Sequence, residues 1–101
     1  MLTKIDHIAL VVDKPPEVAD WYIENFNAEV LYVDDTWAFI QFSNIKMAFV
    51  KKGTHPGHFA IEVDSFDDKS RVKKHRDDTL STYKKDPWGN IYELIKYPEK
   101  E

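Results

Sequence analysis

His7 and His58 open two copies of one segment. Asp6-His7-Ile8-Ala9-Leu10-Val11-Val12-Asp13 returns as Gly57-His58-Phe59-Ala60-Ile61-Glu62-Val63-Asp64, an offset of 51 residues (58 − 7). A second echo aligns Asn44-Ile45-Lys46-Met47-Ala48-Phe49 with Asn90-Ile91-Tyr92-Glu93-Leu94-Ile95 at an offset of 46 (90 − 44), which makes Met47 and Glu93 equivalent. Self-similarity of this kind means two copies of one supersecondary unit, and neither half is long enough to bury a core alone. If the copies face each other across a pseudo-twofold axis, His7, His58, Glu93 and Met47 can converge near it. Two histidines and one carboxylate form a facial set that suits a divalent metal with open coordination positions. The chain has no cysteine, so thiolate ligands and disulfides are excluded and any metal must be held by N and O donors.

The elements that carry these residues are written in the periodicity. In the first segment His7, Ala9 and Val11 alternate with Ile8, Leu10 and Val12, the period of two of a strand, and the all-branched side is expected to face the core. Asp13 is placed to cap a helix, Pro15 and Pro16 tolerate its start, and Val18, Trp21, Tyr22 and Phe26 recur at helical spacing, which predicts a helix over 16–27. Three strands follow at 29–33, 36–42 and 45–51, separated by Asp34-Asp35 and Ser43-Asn44. The first module therefore reads β-α-β-β-β.

After the linker Lys52-Gly53-Thr54-His55-Pro56-Gly57, the strand at 59–63 repeats the first, with His58, Ala60 and Glu62 on one side and Phe59, Ile61 and Val63 on the expected core side. Segments 79–85 and 91–97 read as a closing hairpin turned by Asp86-Pro87-Trp88-Gly89-Asn90. Only 14 residues separate Asp64 from Thr79. Either the second module has lost a strand or part of its helix, or residues are missing from the sequence between 65 and 78.

Composition bounds the function classes. The 101 residues suit one domain over 1–101, with modules at 1–52 and 57–98, and a core small enough for a homodimer to help. An apolar fraction of 43% supports folding rather than disorder. The net charge of −4, without a basic stripe interleaved with aromatics, argues against nucleic acid and for a small-molecule ligand. The early apolar run, Ile8 to Val12, is too short for a signal-peptide core or a membrane span, so the expectation is a cytoplasmic protein with no membrane partner.

With the histidine strand repeated, the β-α-β-β-β order and the ending Asp86-Pro87-Trp88-Gly89-Asn90-Ile91-Tyr92-Glu93-Leu94, the chain resembles the vicinal oxygen chelate superfamily of glyoxalases, bleomycin-resistance proteins and extradiol dioxygenases. The resemblance runs nearly end to end and is weakest over 65–78. It implies an α+β fold of two βαβββ modules, the second shortened, forming a curved mixed sheet with a metal-binding cleft. It further implies ligand slots at His7, Met47, His58 and Glu93, and a divalent ion such as Fe, Mn, Zn or Ni.

Members that move a proton, glyoxalases and methylmalonyl-CoA epimerases among them, usually fill the Met47 slot with Glu or Gln. A thioether is a poor ligand for these ions and cannot act as a base. The three-ligand set His7, His58 and Glu93 is what the dioxygenases and fosfomycin thiol transferases of the superfamily retain. The thiol transferases carry a Thr where this chain has Ala9, and an Arg after the last ligand that has no counterpart between Leu94 and Glu101. Dioxygenases add His and Tyr residues around oxygen, a role for which Tyr83, Tyr92 and His75 are the candidates.

The reading favoured is metal-dependent chemistry, of oxygenase, lyase or transferase type, on a small substrate that chelates through vicinal oxygens. The alternative is a non-catalytic, bleomycin-resistance-like binding protein. Blander readings stand beside the sharp ones. His55 lies in a Pro-Gly linker and is expected to be exposed. Lys69, Arg71, Lys73, Lys74, His75 and Arg76 form a basic run whose default is a solvated surface, its functional reading being a flap that brings Arg76 or His75 over an anion. Trp37, Phe39, Met47 and Phe49 can wall an apolar pocket or be plain core. Glu62 can orient a ligand or meet solvent.

Overall fold

In a computed structural model, residues 1–75 and 77–99 are described, and they contain eight strands and one helix. The chain forms two compact units, residues 7–58 and residues 1–6 with 59–101. The fold class is α+β with parallel and antiparallel strand pairs, as the sequence leads one to expect.

The first unit runs β1 (Ile5–Val12, which begins in the other unit), α1 (Pro15–Asn25), β2 (Glu29–Val33), β3 (Trp37–Gln41) and β4 (Lys46–Lys51). Its strands lie in the order β2-β3-β4-β1, with β1 and β4 parallel and the remaining pairs antiparallel. Helix α1 packs against β2, β3 and β4. The core lies beneath it, with Ala19, Ala38, Ile40 and Phe49 buried and Val12, Val18, Tyr22, Ile23 and Met47 packed around them.

Two expectations change. Lys14, not Asp13, is the N-cap of α1, and its side chain makes no capping hydrogen bond; Pro15 and Pro16 begin the helix with φ already set. On β1, His7 and Ala9 are the buried residues, whereas Ile8 and Leu10 are 38% and 39% exposed. The branched side does reach the helix-packed core at Val12, but the helix covers β2 to β4, so Ile8 and Leu10 stay partly exposed.

The second unit holds β5 (His58–Glu62, whose first residue belongs to the first unit), β6 (Lys73–Lys74), β7 (Leu80–Lys85) and β8 (Ile91–Lys96) in the order β5-β8-β7-β6. Among the described residues no helix occurs between β5 and β6, and β6 has only two residues. Arg76 lies outside the described residues; Lys73, Lys74 and His75 are exposed, in keeping with a solvated surface.

Three contacts fix this unit. Tyr97 donates its hydroxyl proton to the Asp6 carboxylate, with oxygens at 2.8 and 2.7 Å, and burial together with that acid pushes the phenol well above its usual pKa. The Glu62 amide donates to the Lys4 carbonyl at 3.0 Å. The β7–β8 hairpin closes on a three-residue loop, with Asp86 accepting from the Trp88 and Asn90 amides, both at 2.9 Å, and Gly89 at φ +89 where an L side chain would be strained.

Candidate metal centre

In the first unit, β1 turns His7 to the face opposite the helix. Its ring meets that of His58 edge on, with centroids 5.7 Å apart, and that of Phe39 at 5.4 Å. His7 is buried and His58 half-buried. The chain bends through Pro56 and Gly57 before β5, and this bend sets the second imidazole: Nδ1 of His58 lies 2.8 Å from the Pro56 carbonyl oxygen. A carbonyl only accepts, so Nδ1 carries a hydrogen, and in the neutral ring the lone pair is then on Nε2. Metal-binding histidines are commonly held in this way, the distal ring nitrogen doing the coordination while the other donates to backbone. At Gly57 an added Cβ would come to 3.6 Å of the Ala9 carbonyl oxygen, so the backbone passes close to β1 at this point.

In the second unit, Glu93 is central in β8 and only 5% exposed. Its register partners are Ala60 on β5 and Tyr83 on β7. Side chains at paired positions share a face, so Glu93 lies on the side of β5 that also carries Glu62 and, at its head, His58. Burial and the Glu93 carboxylate both raise the pKa of Tyr83, so that phenol stays protonated and able to donate throughout the physiological range.

The remaining candidates separate. Tyr92 is on the opposite face, stacked with Phe59 at 6.4 Å, and so lies away from Glu93. Nε2 of His75 lies 2.6 Å from the Ser81 hydroxyl oxygen, which ties the segment after β6 to β7. His55 is exposed.

Met47 is corrected by the strand register. On β1 and β4 the pairs are Ile8 with Met47 and Ala9 with Ala48; on β5 and β8, Ala60 pairs with Glu93. Since Ala9 and Ala60 are repeat equivalents, the counterpart of Glu93 is Ala48, at an offset of 45 (93 − 48) rather than 46. Met47 sits on the helix side and packs against the core. One residue of slip exchanges the faces of a strand, which is why a near-correct alignment points to the wrong side chain. The fourth slot that the resemblance implies therefore falls on Ala48, whose methyl group neither coordinates nor accepts a proton.

Lys46, which stood in the echo without a role, belongs to the His7 face as its register partner, with Nζ 5.8 Å from the Phe39 centroid. The signal in the sequence was the small residue two positions past each histidine, Ala9 and Ala60. On β4 the small residue Ala48 pairs with Ala9 and shares its face, and Lys46 has the same parity.

No protein-family model matches this sequence, and no curated protein matches it. Solved structures do. A hypothetical protein of Bacillus halodurans superposes with a TM-score of 0.75 at 17% identity, covering 100% of this chain and 99% of the other. Methylmalonyl-CoA epimerase from Mycobacterium tuberculosis gives 0.72 at 14% identity, with 94% and 88% covered. A glyoxalase/bleomycin resistance protein/dioxygenase superfamily member from Vibrio splendidus gives 0.67 at 11% identity, with 94% and 99% covered. At these identities the likeness speaks for the fold alone, and this chain has the glyoxalase-type fold of these structures.

Proposed function

We propose that His7, His58 and Glu93 hold one divalent cation and that the protein carries out metal-dependent chemistry on a small substrate chelating through vicinal oxygens. The observation that carries this reading is the pairing of His7 with a His58 ring whose Nδ1 is fixed on a backbone carbonyl, a preorganised imidazole pair on the helix-free face. His7, His58 and Glu93 are a group that could hold a metal ion. Two neutral imidazoles and a carboxylate suit Fe(II), Mn, Zn or Ni, and leave positions open for substrate. Bound there, a divalent ion would supply Lewis-acid polarisation and a template for the chelating oxygens.

The chain's own residues limit the chemistry further. Ala48 offers no base where proton-moving relatives carry one, which weighs against epimerase or glyoxalase-type proton transfer from that slot. The Tyr83 phenol, kept protonated beside Glu93, supplies a hydrogen-bond donor on the face of the carboxylate.

Calorimetric titration of Zn²⁺ or Mn²⁺ into the metal-free protein and into His7→Ala, His58→Ala and Glu93→Ala tests the assignment. Each variant is expected to lose at least about tenfold in affinity, the lower end of what even an outer-shell change costs. Unchanged binding in all three would remove the site.

A further inference from the structure

A row of aromatic rings leads to His7. Tyr32 and Trp37 stack with centroids 4.6 Å apart and planes at 28°, Trp37 meets Phe39 at 5.6 Å, and Phe39 meets His7 at 5.4 Å. Strand register puts them on one side: Tyr32 pairs with Phe39, and Phe39 with Ala48, which shares its face with Lys46. The Lys46 ammonium stands 5.8 Å from the Phe39 centroid, within the range where a cation is drawn to a ring.

These rings do not fill the core. The residues packed under α1 are Ala19, Ala38, Ile40 and Phe49 with their neighbours, on the other side of the same strands, whereas Tyr32 is 38% exposed and Trp37 and Phe39 are half-buried. The side chains at 37, 39 and 46 thus combine flat apolar surface, π faces and one positive charge beside the proposed metal ligand His7.

We propose that this row recognises the body of the substrate, and that the substrate is a small molecule with a flat π-bearing ring system and an anionic group, such as an aryl carboxylate. The ring system lies against Trp37 and Phe39, and the anion meets Lys46. The inference rests on the proposed metal site only in calling the bound molecule a substrate; the recognition itself needs no metal. The physical case is complementarity. Offset or edge-to-face ring contacts favour a planar aromatic over an aliphatic body, and a charge-assisted contact favours an anion over its neutral analogue.

Equilibrium dialysis of the metal-free full chain against 2-naphthoate and against neutral 2-naphthalenemethanol tests it. The naphthoate is expected to bind about tenfold more tightly, the worth of one contact to a charged group. Lys46→Met, which keeps the stem of the side chain, is expected to abolish the difference, with Lys46→Gln as a second variant should the first fail to fold. Trp37→Ala is expected to weaken both ligands by about three- to tenfold.

Equal binding of the two probes to the wild type, a preference that survives loss of Lys46, or no binding of either would overturn the proposal. His58→Ala separates this proposal from the metal site: it is expected to weaken metal binding and leave the naphthoate preference intact. Loss of that preference in the folded His58→Ala variant would count against recognition by the Trp37, Phe39 and Lys46 row.

Discussion

Positions 47 and 48 differ by one residue and by one face of the sheet, and they separate a core side chain from the position the resemblance implies for a fourth ligand. Met47 pairs with Ile8 and Ile40 and packs toward α1; Ala48 pairs with Ala9 and Phe39 and shares the side of His7. Carboxylates introduced at the two places are therefore expected to do opposite things. Ala48→Glu should tighten divalent-metal binding by about tenfold or more, since it restores a hard, charged donor. Met47→Glu should leave metal affinity unimproved and destabilise the fold by about 1–3 kcal/mol, because the carboxylate would be pressed into an apolar core. Metal titration and chemical denaturation of the two variants read both outcomes. Tighter metal binding by Met47→Glu would contradict the pairing of Met47 with Ile8 and of Ala48 with Ala9.

Turns explain both what the elements get right and where they mislead. The β3–β4 hairpin has two loop residues, Ser43 and Asn44, since the Phe42 amide donates to the Ile45 carbonyl at 2.9 Å. The β7–β8 hairpin has three, Pro87 to Gly89, since Asp86 and Asn90 pair. Matching Asn44 to Asn90 thus aligns a loop residue with a paired one and shifts everything after it by one. Strands of five residues or more declare themselves through alternation, and β2, β4 and β8 fall within a residue or so of their expected limits. The two-residue β6 has no period to detect and reads as charge. Asp34 organises the β2–β3 turn by accepting from the Thr36 amide at 2.8 Å, the Thr36 hydroxyl at 2.9 Å, the Trp37 amide at 3.0 Å and the Tyr32 hydroxyl. These bonds, Tyr32 first, pull its pKa from 3.8 to about 2. A carboxylate lowered on folding stabilises the protein fully above its unfolded pKa and ceases to as pH falls through the folded value. The melting temperature of wild type is thus expected to exceed that of Asp34→Asn at pH 5, and the gap should close as pH falls from about 4 towards 2. A gap constant over that range would assign the turn's stability elsewhere.

At the scale of the molecule, two copies of one strand were legible because their histidines and alanines recur at the same parity, and that pattern survives in the described residues as buried Ala9 and Ala60 beside His7 and His58. That no helix stands between β5 and β6 was legible only as a shortage of chain between Asp64 and Thr79, since a shortage does not say which element is absent. Which side of β1 is buried was not legible, because burial there depends on how far α1 reaches over neighbouring strands. The single most direct test of the metal assignment is an anomalous difference map from crystals of the full chain grown with Zn²⁺, recorded on both sides of the zinc edge. One zinc peak is expected, about 2.0–2.2 Å from a ring nitrogen of His7, a ring nitrogen of His58 and a carboxylate oxygen of Glu93. Zinc bound elsewhere, with these three side chains turned to other partners, would contradict the account.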